Sequence, residues 1–124
     1  MLTIITTWYN ERLLAPLFLS HYAGHRIIVM LDGDTNDETL DYLSVSRAEV
    51  VHFLNVEGWD AFDHAKRQMD VYRTIKDGWV LFVDADEFVF PLPELKDEVY
   101  CVNFAQVFRN ETEGDIDYSL PAMY

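Results

Sequence analysis

The stretch VLFVDADEFVF, residues 80–90, runs from a buried-looking apolar strand straight into Asp84, Asp86 and Glu87, and then turns apolar again. In a strand, residues i and i+2 face the same way, so a continued strand puts the Asp84 and Asp86 carboxylates on one side. A bend at Ala85 also lets them converge. Oxygen-only ligands suit Mg²⁺ or Mn²⁺, ions that keep several waters and bind substrate phosphates. The ordinary alternative is an acidic turn that caps a following helix. Pro91, Pro93 and the run Phe88-Val89-Phe90 speak against a helix there.

Upstream of this stretch, apolar segments alternate with helical patterns. Leu2–Thr7, Arg26–Leu31, Glu49–Leu54 and Trp79–Val83 read as strands, and Val99–Val107 as a fifth. Several are near-continuous apolar runs, as in sheets covered on both faces. Asn10 is a candidate cap for a first helix with Leu13, Leu14, Leu17, Phe18 and Tyr22 on one face, its regular part starting near Pro16. Asp37–Val45 reads as a short second helix capped by Asn36 or Asp37. Asp60–Lys76 reads as a third, with Phe62, Ala65, Met69 and Tyr72 as its apolar stripe and Gly78 beyond its end. The alternation predicts an α/β fold with a parallel sheet and right-handed crossovers.

Such sheets bind ligands outside the carboxyl ends of their strands, where strand order reverses. In a Rossmann-like 3-2-1-4 order, Thr6–Glu11, Asp32–Asp37 and Asp84–Glu87 meet on one rim. Each reads alone as a plain loop, and their shared position is the informative part.

Composition narrows the classes. Half of the 124 residues are hydrophobic and 15% are aromatic, enough for a core in one domain. A formal charge of −13 repels phosphate backbones and argues against nucleic acid as a partner. No apolar run approaches the roughly 18 residues of a membrane span. The N-terminal residues lack the pattern of a secretory signal. Cys101, a lone cysteine, fits a reducing compartment, and a cytoplasmic location is expected.

Three segments carry a resemblance. Ile4–Glu11 resembles the first strand and loop of family 2-type glycosyltransferases. Leu31–Thr39 is similar to their second acidic loop. Trp79–Phe88 is similar to their metal-binding DxD strand, in the subgroup where it ends Asp-Glu-Phe, and Lys66-Arg67-Gln68 also fits that subgroup. The similarity covers residues 1–90. It implies a glycosyltransferase A-type fold and a metal-dependent enzyme that takes a nucleotide-diphospho-sugar, most commonly a UDP-sugar, as donor and an unidentified sugar or lipid as acceptor. It further implies that Thr7, Asn10 and Glu11 lie at the nucleoside, that Asp32 meets the base, that Asp84 lies by the ribose and the metal, and that Asp86 ligates Mn²⁺ or Mg²⁺. Glu87 is a candidate orienter of that site.

His64, Lys66, Arg67 and Gln68 read ordinarily as a charged helix surface. One of them is a candidate for the diphosphate, and Arg67 suits that contact with its planar fork. His21, His25 and His52 show no zinc spacing. Trp8 stands in the expected site, Trp59 is a further stacking candidate, and Trp79 reads as core. Residues 91–124 are expected to form an incomplete acceptor-side part of a single 1–124 domain. In it Glu111, Glu113, Asp115 and Asp117 are candidate bases by default, and a half-length domain would favour self-association. Two other readings stand beside this one. One is a non-catalytic nucleotide-sugar-binding module. The other is a haloacid-dehalogenase-type phosphatase, whose nucleophile strand Phe82–Asp86 resembles.

Overall fold

The computed structural model describes residues 2–56, 58–90, 103–106, 108–109, 116–117 and 121–123. The chain forms two compact units, Met1–Ala85 and Asp86–Tyr124.

The first unit runs β1 (Leu2–Trp8), α1 (Ala15–His21), β2 (Arg26–Asp32), α2 (Thr39–Ser44), β3 (Glu49–Phe53), α3 (Ala61–Arg73) and β4 (Trp79–Phe82). Its four strands are parallel in the order β3-β2-β1-β4, as the alternating pattern predicts. Ile5 pairs with Ile28 on one side and Phe82 on the other, and Asp32 ends level with Phe53. Every residue of β1 is buried except Thr7, which is half-buried near the carboxyl end. The central strand therefore carries the core at its base and opens only at its tip.

Alternation along β1 divides the core into two layers. On one face, Trp8 meets Phe18 of α1 edge-on at 5.4 Å, and Phe18 packs on Tyr22 at 4.6 Å. On the other, Ile5, Ile28 and Met30 pack with Val71 of α3, flanked by Phe53, Ile75 and Val80. Burial of such aliphatic side chains contributes roughly 1.5–3 kcal/mol each.

The helix starts differ from the sequence reading. Asn10 does not cap α1: the helix begins at Ala15 with Leu14 at the N-cap position and Pro16 in its first turn, where the missing N–H costs no hydrogen bond. Asp37 precedes α2 and accepts from the Thr39 amide at 2.9 Å, and α2 is shorter than Asp37–Val45. Asp60 does cap α3, accepting from the amides of Phe62 at 2.8 Å and Asp63 at 3.1 Å.

The expected apolar stripe of α3 is the wrong face. Phe62 is 78% exposed, and Met69 and Tyr72 are also exposed, whereas Val71 is buried. The inward stripe is His64, Arg67, Gln68, Val71 and, past the helix end, Ile75, at helical spacing. Its first half is polar, so a search for hydrophobic periodicity passes over it.

The acidic run does not extend β4. The strand stops at Phe82 and the chain turns at Ala85 and Asp86. In the second unit β5 (Glu87–Val89), β6 (Asn103–Gln106) and β9 (Pro121–Met123) form an antiparallel sheet in the order β5-β6-β9, and β7 (Phe108–Arg109) pairs with β8 (Ile116–Asp117). The described part of the expected fifth strand is β6; residues 99–102 and 107 lie outside the described residues, as do the candidate bases Glu111, Glu113 and Asp115. Among the described residues no helix is long and apolar enough to cross a membrane.

Candidate functional site

The loops that leave the carboxyl ends of the parallel strands enclose a pocket of about 230 Å³ within the first unit. Thr7, Trp8, Tyr9 and Glu11 come from β1 and its loop, and Asp32 from the end of β2. Phe53, Asn55 and Trp59 come from β3 and its loop, His64 from the first turn of α3, and Asp84 from beyond β4. Thr7, Glu11, Asp32 and Asp84, scattered across the sequence, thus share one pocket wall. Asp86 belongs to the second unit.

Asn10 and Arg67 are not in that wall. Asn10 has a φ of 48°, a left-handed conformation that asparagine tolerates better than most residues. Its side chain accepts from the Asn36 amide at 2.9 Å and donates to the Asn36 side chain at 3.2 Å. It therefore ties the first rim loop to the second. Nearby the Arg12 amide donates to Asp37 at 3.4 Å. Burial works to raise the Asp37 pKa, but the hydrogen bonds from Thr39 and Arg12 and the Arg12 charge outweigh it and hold the carboxyl below its ordinary range.

Asp32 is anchored through both carboxylate oxygens. Its Oδ1 accepts from the Asp34 amide at 2.8 Å and its Oδ2 from Asn55 Nδ2 at 3.4 Å. The next residue, Gly33, donates to the Phe53 carbonyl at 2.7 Å. A Cβ there would lie 3.1 Å from that carbonyl oxygen and 2.5 Å from a Leu54 methyl, so glycine permits this close approach. Behind Asn55 stands Arg67, which donates to Asn55 Oδ1 at 2.8 Å and to the Leu54 carbonyl at 3.2 Å, with its guanidinium 4.8 Å from the Phe53 ring centroid.

His64 and Trp59 also line the pocket. Their rings lie 4.7 Å apart at 43°, and Trp59 is 63% exposed. Burial is the main force lowering the His64 pKa; the Arg67 charge adds to it and Asp84 opposes it. The neutral imidazole is therefore favoured. His64 Nδ1 and Trp8 Nε1 are both buried with no hydrogen-bond partner.

The pocket also takes His64, which the sequence reads as helix surface, and Asn55, which carries no motif. The available signals were positional: Asn55 follows strand three as Asp32 ends strand two, and His64 lies seven residues before Val71 on the same helical stripe. Trp8 and Trp59 exchange emphasis, because Trp8 is 1% exposed and Trp59 is the ring open to a ligand.

The acidic and hydroxyl groups of the wall are hard oxygen donors, a set that fits Mg²⁺ or Mn²⁺ better than softer metals. Among the described residues no three His, Cys, Asp or Glu side chains converge to hold an ion by themselves. An ion there would need oxygens from its ligand, as Mg²⁺ commonly does. Compared with protein-family models and with curated proteins, the chain finds no match in either.

Proposed function

We propose that the chain binds a nucleoside diphosphate sugar together with Mn²⁺ or Mg²⁺ and acts as a glycosyltransferase of the A-type fold. The observation that supports this most is the gathering of Thr7, Glu11, Asp32 and Asp84 around one pocket at the sheet rim. Asp32 would receive an N–H of the base, uracil being the expected one. Tyr9 and Trp59, both exposed rings, would flank the planar part of the ligand. Asp84 would lie by the ribose and, with Asp86, hold the cation; the part of Asp86 rests on the sequence motif alone. When bound, the ion would offset the negative charge that develops on the departing diphosphate.

In the transfer, the bond from the anomeric carbon to the diphosphate oxygen breaks and one to an acceptor hydroxyl oxygen forms. The hydroxyl proton passes to a base. The backbone of Asp117 lies in β8, and the other candidate bases lie outside the described residues.

Calorimetry with UDP and Mn²⁺ tests the reading. Wild type is expected to bind only when both are present, and Asp84→Ala and Asp86→Ala to lose more than about ten-fold in affinity, the effect of losing a charge-assisted ligand. Absence of metal-dependent affinity for any nucleoside diphosphate refutes it. Binding with neither sugar transfer nor donor hydrolysis would instead leave a nucleotide-sugar-binding module.

A further inference from the structure

We infer that Arg67 is a positioning residue for base selectivity, acting through Asn55 on Asp32; this rests on the nucleotide reading above. The fork of Arg67 is already engaged. One terminal nitrogen donates to Asn55 Oδ1 and the other to the Leu54 carbonyl, with the guanidinium plane near Phe53. Arg67 is therefore directed at the β3 loop.

Arginine has donors and no acceptors, so the Asn55 atom facing it has to be the carbonyl oxygen. That fixes the polarity of the amide and turns Nδ2 toward Asp32. With the amide reversed, two acceptors would face each other across the same gap. Asp32 consequently has a donor on each oxygen, Asn55 on one and the Asp34 backbone on the other, and its carboxylate plane is held from two directions. Its remaining lone pairs are what it offers to the pocket it lines.

A carboxylate held this way offers acceptors only. A uracil ring, whose N3 carries a hydrogen, can donate to it. A cytosine ring in the same place puts a lone pair at N3 against a lone pair. A half-buried site built to receive a donor discriminates against the analogue that lacks one. The discrimination depends on the acid being held in place, which is the work of Asn55 and Arg67.

The test measures affinities of UDP, CDP and inorganic pyrophosphate, each with Mn²⁺, for the full chain and for Arg67→Met, Arg67→Lys and Asn55→Ala, with melting temperatures taken in parallel. Wild type is expected to prefer UDP over CDP by at least about ten-fold. Arg67→Met and Asn55→Ala should bring that preference to within about three-fold while leaving pyrophosphate affinity unchanged, and Arg67→Lys should fall between. Should Arg67→Met fail to fold, Asn55→Ala alone decides. A UDP-to-CDP ratio that survives Asn55→Ala and Arg67→Met overturns the positioning role. Parallel loss of UDP and pyrophosphate affinity overturns it too and makes Arg67 a phosphate contact. A wild type that binds none of the three defeats the nucleotide reading itself, and the positioning role with it.

Discussion

The two halves of the inward stripe of α3 face the same sheet and do different things. Toward the helix C-terminus, Val71 packs with Ile5, Ile28 and Met30, and the contacts are apolar. Two turns earlier, His64 lines a pocket and Arg67 hydrogen-bonds the loop behind it. Facing inward means facing hydrocarbon at the base of the sheet and facing a polar rim at its carboxyl edge. Amphipathicity therefore locates the buried face of a helix only over the part of it that lies on the core.

The comparison breaks first if the core beneath Val71 and the pocket end at His64 respond alike to truncation. Ile5, fully buried, should cost about 2–5 kcal/mol when changed to Ala, through lost burial and the cavity left behind. His64→Leu should change stability by less than about 1 kcal/mol, because it removes a buried nitrogen that has no partner. Urea unfolding of the two variants measures both. A loss at His64 as large as that at Ile5 would make the rim part of the core.

Trp59 sharpens the same contrast from the binding side. Exposed and backed by His64, it should leave stability within about 0.5 kcal/mol of wild type as Trp59→Ala. It should weaken UDP binding by about 1–3 kcal/mol, the range for losing one aromatic ring under a base. Unaltered UDP affinity in Trp59→Ala would remove that ring from the site.

Much of this is legible in the sequence. β-Branched runs separated by helical patterns predict the parallel sheet, and the order 3-2-1-4 then forces the three polar loops onto one edge, so Thr7, Glu11, Asp32 and Asp84 are placed by topology. Asn10 is legible as a rim residue and Arg67 as part of a charged helix surface, but neither in its contacts. The hydrogen bonds of Asn10 go to Asn36 and those of Arg67 to Asn55 and Leu54, partners set by loop conformation. The face of α3 was not legible, since Phe62, Met69 and Tyr72 make a better apolar period than His64, Arg67 and Val71. The strand β5 was not legible: Phe88-Val89-Phe90 speaks against a helix without naming a partner, and Phe88 and Val89 pair with β6.

A smaller effect is expected at the helix start that carries this wall. Asp60 receives two amide donors from the first turn of α3, between Trp59 and His64. Asp60→Ala should cost about 1 kcal/mol of stability, and Asp60→Asn should restore most of it. If Asp60→Asn unfolds at the same urea concentration as Asp60→Ala, the side-chain cap is not what holds this turn.

The smallest effect belongs to the far end of the sheet. There Arg26 at the start of β2 meets Glu49 at the start of β3 in a two-pronged ion pair, with nitrogen–oxygen distances of 2.6 and 2.9 Å. Both side chains are exposed, so water and salt screen the pair. The hydrogen bond from Arg26 is the main force holding the Glu49 carboxyl below its ordinary value of 4.5; burial opposes it and the Arg26 charge assists. The folded state therefore binds fewer protons here than the unfolded state near that pH. The stabilisation is present above 4.5 and fades as the pH falls through the lowered folded value. Glu49→Gln should accordingly show a small loss in urea midpoint at pH 7 that disappears in strong acid and shrinks in high salt, with UDP affinity unchanged at every pH. A deficit that persists unchanged below the titration of Glu49 would mean that packing at the strand start, and not charge, is what the variant removes.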